Sequence, residues 1–452
     1  MEDLIKNFSD FVWGLPLLIL LIGGGAYLLV LSKFLPFRYL GHAIEVLRGK
    51  YDDPDDPGQI SHFKALTTAL SSTLGMGNIA GVAVAISIGG PGAMFWMWVS
   101  AIMGMSTKFF TCTLAVMYRG KDSVGELQGG PMYFIVEGLG KSWKPLAVMF
   151  SVFGMIGALP VVNVNQLTQA VNDIILIPNG FEVGLKSNLI LAGVLVLITS
   201  VIILGGLNRI SNTASKLVPS MVLLYFGLVV FILISNYNQV PKYLLMIFTD
   251  AFAAENFNGD PFFGGMIGAL VLLGIRRGAF SNEAGIGTAP MAHGAAKTDE
   301  PVREGLVAML GPAIDTLVVC TLTALAILVT GVWETTSDNG VSLTASAFSH
   351  VMPIYGSYLL MVCVFIFSVS SLFSYSYYGA KCLSFIIGAN KKHYYNYIYI
   401  LSIIVAAVSP FSAMLNLIDG VFALMAIPTI FATIILAPKV VVEIKSYLKR
   451  MS

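Results

Sequence analysis

The residues best suited to chemistry stand in a polar run, Ser71-Ser72-Thr73-Leu74-Gly75-Met76-Gly77-Asn78-Ile79-Ala80-Gly81, inside an otherwise apolar stretch. Two glycines one residue apart weaken a helix, and in hydrocarbon every freed amide or carbonyl needs a partner. An unwound stretch there survives only against a cavity whose contents bond it. Amides suit an anion, and carbonyls and hydroxyls suit a hard cation. A second run, Gly274-Ile275-Arg276-Arg277-Gly278 followed by Ala279-Phe280-Ser281-Asn282-Glu283-Ala284-Gly285-Ile286-Gly287, predicts another interruption at residues 274–278. Glycine also serves close packing, as Gly77-xxx-Gly81 allows, but interruptions at corresponding places in two halves favour breaks. The result is a binding site without a catalytic group. The chain contains no HExxH, no GxSxG and no phosphate-binding P-loop. Cys112, Cys320, Cys363 and Cys382 lack CxxC spacing and read as buried thiols acting as small apolar residues.

The elements holding these residues belong in a bilayer. The 452-residue chain is 56% hydrophobic and 11% charged, with a mean hydropathy of +0.80. A net charge of +1 with scattered cations excludes a nucleic-acid partner. The opening Met1-Glu2-Asp3-Leu4 lacks a basic leader region, so the first apolar run is expected to stay as a span. Apolar runs of spanning length predict 11 transmembrane helices, near 12–34, 61–88, 92–118, 144–177, 188–207, 214–236, 262–292, 303–332, 355–388, 394–412 and 414–441. If the second begins in the cytoplasm, nearly all cations fall inside, Arg276 and Arg277 among them, leaving Lys6, Lys186 and Lys242 outside. The N-terminus is then external and the C-terminus cytoplasmic, in the cell membrane, with Glu182, Asp250, Glu255, Asp260, Glu334 and Asp338 outside. Amphipathic pieces near 35–50, 129–140 and 341–350 are expected at the interface or capping the entrance. The whole of 1–452 reads as one membrane domain: 12–58 an extra N-terminal span and interfacial helix, 59–240 one five-helix repeat, and 255–445 its inverted partner.

Charge at membrane depth singles out Lys108, Asp173, Arg276, Arg277, Glu283, Asp315 and Asp419. Arg276 and Arg277 are expected just past the second interruption on the cytoplasmic side, supporting an inner gate or the break itself. Glu283 is expected to pair with one of them or to bond unwound backbone. Asp315, early in its span, suits either capping of freed amides or ion coupling. Lys108 is expected to snorkel to the cytoplasmic face. His42, His62, His293, His350 and His393 lie in or beside loops with no metal-ligand spacing.

Gly89-Gly90-Pro91-Gly92-Ala93-Met94-Phe95-Trp96-Met97-Trp98, Gly129-Gly130-Pro131-Met132-Tyr133 and Arg277-Gly278-Ala279-Phe280-Ser281-Asn282-Glu283-Ala284-Gly285-Ile286-Gly287-Thr288-Ala289-Pro290 resemble the alanine or glycine:cation symporter family, the sodium:alanine symporters. Gly75–Gly81 and Ser376-Tyr377-Tyr378-Gly379 extend the resemblance, which spans residues 11–445. It implies an all-α polytopic membrane protein of LeuT type, with a 5+5 inverted repeat in spans 2–11 and one extra N-terminal span. It also implies secondary active, sodium-coupled symport of a small neutral amino acid, alanine or glycine, into the cell by alternating access. A proton-coupled or sodium-independent carrier for a different or larger amino acid stays open, because no residue excludes a proton. Sodium is then cargo, no organic cofactor is needed, and the partners are the amino acid, sodium and the bilayer, with no obligatory protein partner.

Carried over position by position, the resemblance implies substrate contacts at Gly75, Met76, Gly77, Asn78, Gln166, Leu272, Leu273, Ile275, Ser371 and Tyr375. Amides of Met76 and Gly77 with the Asn78 side chain suit a carboxylate, and Gln166 offers a carbonyl to an ammonium or an amide to a carboxylate. Sodium is implied at the carbonyls of Ser71 and Leu74 and the hydroxyls of Ser370 and Ser371. Ser371 serves the ion or the substrate, or bonds back to its own i−4 carbonyl. Family members often carry Thr where this chain has Met76 and Trp where it has Leu273 and Tyr375, so the pocket wall differs and leaves the particular amino acid open.

Overall fold

The computed structural model describes residues 2–253 and 266–451. Glu255, Asp260 and residues 262–265 of the seventh expected span lie outside the described residues. What is described is a helical bundle with one small antiparallel hairpin, Gly120–Lys121 against Leu127–Gln128. Among the described residues, seven helices are long and apolar enough to cross a membrane, or up to nine if two bent pairs, Asp3–Val12 with Leu15–Leu31 and His62–Thr73 with Gly77–Gly89, each count as one span. Met266–Asn282 and His393–Val408, at 17 and 16 residues, also occupy expected spans. His393–Val408 rises only about 24 Å against a hydrocarbon core of about 30 Å.

Burial sorts the helices into layers. Gly92–Met117 is 83% buried over its most apolar window, whereas Leu185–Ile203 and Gly206–Ser235 are 22% and 28% buried. The peripheral helices turn Leu189, Leu197, Phe226 and Ile234 outward, an apolar surface that water would not tolerate and lipid does.

The first interruption falls where the glycine pattern predicts. Ser61 caps the amide of Lys64 at 3.4 Å and starts His62–Thr73. The chain then leaves the helix at Leu74, with ψ 80°, and resumes as Gly77–Gly89 after a 54° bend. The amide of Gly75, which would close a turn onto Ser71, instead donates to the Thr73 carbonyl at 2.9 Å and to Asn78 Oδ1 at 3.1 Å, and that of Met76 donates to Asn163 Oδ1 at 3.2 Å. The carbonyls of Ser71 and Ser72 thereby lose their usual i+4 donors.

The second interruption is not at residues 274–278. Met266–Asn282 runs as one α-helix through that stretch. Its glycines serve packing instead: a Cβ on Gly274 would lie 2.5 Å from Trp96 Cβ, and one on Gly278 2.8 Å from Ser100 Cβ. Gly274-xxx-Gly278 is thus the flat face on which Gly92–Met117 rests. Gly274→Leu is expected to destabilise the purified protein by about 1–3 kcal/mol through overpacking, read as a lower Tm in detergent. The helix gives way later, at Glu283 (φ +53°), Gly285 (+86°) and Gly287 (+106°), before the short helix Ala289–His293. Asn282 Oδ1 accepts from the Ala284 amide at 3.0 Å, and Glu283 accepts from the hydroxyls of Thr288 and Tyr375. Glu283 therefore holds the interruption itself and is not paired with Arg276 or Arg277.

The two ends of the bundle differ. At one, Arg119 donates to the carbonyls of Pro57, Gly294, Ala296 and Thr298. Beside it the buried Glu304 accepts from, or shares protons with, both His62 and His293 through their Nδ1 atoms. At the other end stand Trp13, Gly89, Asp250 and Trp333. Arg276 and Arg277 lie towards this second end, against the expectation that they sit on the cytoplasmic side with Arg119. Because their helix is unbroken until Asn282, they precede the interruption. Lys108 also departs from expectation. It is 2% exposed, does not reach an interface, and interacts electrostatically with Asp315 and Glu283. The helix Val341–Val351 is not interfacial: most of it is buried, and Thr344 donates to the Ile79 carbonyl at 3.4 Å.

Candidate functional site

The break in the first bent helix is the centre of a buried polar site. Asn78 is fully buried and bonds in two directions. Its Oδ1 holds the Gly75 amide, while its Nδ2 reaches Ser281 Oγ at 3.2 Å, the Asp315 carbonyl at 3.4 Å and Cys320 Sγ at 3.4 Å. Ser281 Oγ donates to Asp315 Oδ1 at 2.6 Å, and Thr316 Oγ1 donates to the same oxygen at 2.9 Å. Asp315 Oδ2, equally buried, has no hydrogen-bond partner among the described residues. A carboxylate oxygen left bare in a dry interior is costly, and the charge draws a cation or a proton to it.

A cavity of about 20 Å³ sits beside the break, lined among others by Gly75, Gly77, Asn163, Phe280, Tyr375 and Phe422. Across Phe280 and Gly77 lies a second cavity of about 10 Å³, bounded by Met76, Gln166 and Arg277. Arg277 also lines a vestibule of about 640 Å³ with Leu272, Leu273, Asp250 and Trp333. At the Arg119 end a vestibule of about 680 Å³ is lined by Asp122, Ser376, Tyr377 and Lys381. The two small cavities hold a body no larger than about one water each, so the walls meet around the break, between two openings.

Of the expected substrate residues, Gly75, Met76, Gly77, Asn78, Gln166, Ser371 and Tyr375 gather here. Gly75 has no room for a side chain: an added Cβ would stand 2.7 Å from Ser371 Oγ and 2.9 Å from Asn163 Oδ1. Gln166 donates to Gln169 Oε1 at 2.8 Å, and its own Oε1 is buried without a partner among the described residues. The Tyr375 hydroxyl is committed to Glu283. Leu272 and Leu273 are elsewhere, on the vestibule wall, and Ile275 is buried in packing at 2% exposure. With the helix intact through 274–278, Phe280 and Ser281 stand opposite Gly77 instead, the nearest atoms 3.4 and 3.5 Å from an added Cβ.

The expected sodium residues share one face only in part. Ser71 Oγ donates to the Ser370 carbonyl at 2.7 Å and lies 2.8 Å from Ser374 Oγ. Ser371 Oγ bonds back to the Phe367 carbonyl at 3.0 Å while abutting Gly75. The Ser370 hydroxyl bonds to Phe367 O at 3.0 Å and turns to Met221 Sδ at 3.6 Å, off that face.

Sequence reasoning missed several residues. Asn163 and Gln166 stand three apart in Val161–Val171 and share one helix face, which offered Asn163 as a companion to Gln166. Phe280 and Ser281 were visible in the second glycine run but unassigned. Asp419 receives Arg276 Nε at 2.8 Å and Arg277 Nη2 at 2.7 Å on one oxygen, Oδ2. Arg276 continues to Asp10 at 2.9 Å and Ser9 at 2.6 Å. Only the fold brings these distant segments together.

Spanning helices around a polar centre, with two helices interrupted there and an opening at each end, form the architecture of a multi-pass membrane transporter. The chain belongs to the sodium:alanine symporter family, whose model matches residues 1–452. It is 39% identical to the sodium/alanine symporter AgcS of Methanococcus maripaludis, over 98% of this chain and 97% of that one. It is 34% identical to the probable sodium/glutamine symporter GlnT of Bacillus subtilis, over 100% of this chain and 91% of that one. The crystal structure of MhsT in complex with L-phenylalanine is similar in fold, with a TM-score of 0.60 at 14% identity over 85% of this chain and 98% of that one. The family and these relatives are transporters, and the chain is a transporter and not an enzyme.

Proposed function

We propose that the chain carries a small neutral amino acid, alanine or glycine, into the cell together with sodium by alternating access. The observation carrying this reading is the 54° interruption at Leu74–Met76: it turns backbone amides and carbonyls towards Asn78, Asn163 and Ser371 inside a dry bundle. In this reading the amides of Met76 and Gly77 with Asn78 take the substrate carboxylate, and Gln166 takes its ammonium group. Phe280, in place of Leu272 and Leu273, forms the wall towards the vestibule. Sodium is held by the carbonyls of Ser71 and Leu74 with the hydroxyl of Ser371, while Asp315 offers a further cation position through its bare oxygen.

Eleven spans in a LeuT-type 5+5 arrangement fit this reading, with 12–58 as the added N-terminal unit, 59–240 as the first repeat and 255–445 as the second. The clustering of Arg119, Lys297, Arg303 and Arg450 at the end carrying the C-terminus supports a cytoplasmic C-terminus and an external N-terminus. Arg276, Arg277 and Asp419 then clamp the outer side. Glu283, with Tyr375 and Thr288, supports the second interruption. The second reading, proton coupling, is favoured by one observation only: Asp315 is a carboxyl group that can carry the proton itself.

The test is uptake of radiolabelled L-alanine, glycine and L-glutamine into proteoliposomes under an imposed sodium gradient, with potassium in its place, and under a pH gradient alone. Concentrative uptake of alanine or glycine that requires sodium is the expected result. Uptake driven by the pH gradient without sodium selects the proton reading, and a preference for glutamine removes the small-substrate assignment.

A further inference from the structure

The cavity of about 20 Å³ beside the break has two unlike sides. Gly75, Gly77 and Asn163 give it a polar side, where the Met76 amide reaches Asn163 Oδ1 at 3.2 Å. Val162, Ile418, Phe280 and Phe422 give it an apolar one. An amino acid whose charged groups are bonded on the polar side turns its side chain to the apolar side, because charge set against phenyl rings goes unsolvated.

The two rings differ in what stands behind them. Phe280 leans on the break itself, its Cδ1 3.4 Å from a Cβ built on Gly77, so its size is tied to the break. Phe422 comes from the last long helix, Phe411–Met451, is 1% exposed, and packs on Phe280 with ring centroids 5.6 Å apart. Behind it is Gly157, the last residue of helix Lys144–Gly157. A Cβ on Gly157 would lie 3.2 Å from both Cδ1 and Cε1 of Phe422 and 2.8 Å from Met425 Sδ. The Phe422 ring is thus held between a second ring and a bare backbone, with no space to withdraw into on either side.

We infer that Phe422, seated on Gly157, sets the largest side chain the carrier accepts. The inference rests on the proposed amino-acid transport and deepens it, because it assigns size selection to a residue outside both interrupted helices. The cavity is smaller than an amino acid, so its walls part when the substrate enters, and the bulk that a side chain then meets on the apolar side is the Phe422 ring. A methyl group displaces the ring little, whereas each further methylene drives it into Gly157 and Phe280. Glycine and alanine are the class this wall admits, and longer side chains are turned away.

The test is a ladder of glycine, L-alanine, L-α-aminobutyrate and L-norvaline, each longer by a single carbon. They compete against uptake of labelled alanine by the full-length protein in sodium-driven proteoliposomes, and thermal stabilisation in sodium gives a second readout. Results are taken as ratios to glycine, which presents no side chain, so a general loosening of the fold cancels. In the parent protein each step beyond alanine is expected to weaken competition about tenfold. In Phe422→Ala the ladder is expected to flatten, with norvaline within about threefold of alanine. Phe422→Leu is expected to move the limit part of the way, and carries the same test if Phe422→Ala does not fold. Gly157→Ala adds bulk behind the ring and is expected to act in the opposite sense, weakening alanine against glycine about tenfold. A ladder unchanged in both Phe422 variants, or all four ligands weakened by one factor, overturns the size limit and leaves the transport reading intact. A parent protein that binds none of the four, or binds norvaline best, ends the small-substrate reading and the size limit together.

Discussion

Asn78→Ala is expected to lower sodium-driven uptake by about 100-fold or more while the protein still folds. Asn78 is the one side chain that holds the Gly75 amide out of the helix and at the same time ties the break to Ser281, Asp315 and Cys320. Without it the buried Gly75 amide loses its side-chain acceptor and keeps only the Thr73 carbonyl at 2.9 Å, a cost of about 0.5–1.5 kcal/mol. The nearest remedy is to close the turn back onto Ser71, which removes the carbonyl and amides that the proposed site gives to the substrate and the ion. The loss therefore falls on transport more than on stability. Asn78→Asp keeps the acceptor for Gly75 but loses the donors and sets a second charge beside Asp315, and is expected to be nearly as impaired. Initial rates in proteoliposomes, set beside Tm in detergent, check both variants. Uptake within threefold of the parent in Asn78→Ala would mean that the break is held by something else.

Asp315→Asn is expected to raise the half-saturating sodium concentration by about 100-fold with amino-acid affinity at saturating sodium nearly unchanged. The replacement keeps the oxygen that accepts from Ser281 and Thr316 and removes only the charge behind the bare Oδ2. At an effective dielectric of about 20, a unit charge about 4 Å from a cation contributes about 4 kcal/mol. Lys108 offsets part of this through its own electrostatic contact with Asp315, which brings the expected loss down to about two powers of ten. Sodium titrations of alanine uptake measure it. A shift below threefold excludes Asp315 as a cation position. If sodium dependence is untouched while a pH-driven component disappears, the group carries a proton.

Much of this was legible from residue spacing, and the exceptions have physical reasons. The apolar periods marked the helices because lipid demands them. Gly75-x-Gly77 marked the first break because its glycines weaken the helix and Asn78, which takes the Gly75 amide, lies beside it in sequence, whereas Asn163, which takes the Met76 amide, comes from another helix. Gly274 and Gly278 looked alike as letters, yet their purpose is the close approach of Trp96 and Ser100, partners supplied by another helix. The actual interruption at Glu283–Gly287 was spelled by glycines in the same run, and reading it correctly required knowing that Tyr375, from a different helix, would secure Glu283. The Arg–Asp419 clamp and the His62–Glu304–His293 cluster share this character. They are assembled by the fold, across separations that local patterns do not encode.

That histidine cluster has a mechanical meaning. His62 is the foot of the first broken helix, His293 ends the short helix beyond the second interruption, and Glu304 begins the next long one. All three hang from one carboxylate, so neither broken helix can swing at this end without carrying the other or tearing two imidazoles from a buried acid. The pair works as a single lever with its fulcrum at Glu304. In the proposed orientation, widening at this end would be left to the opposite bank, where Ser376, Tyr377 and Lys381 border the vestibule, and that bank would be where released cargo meets the water.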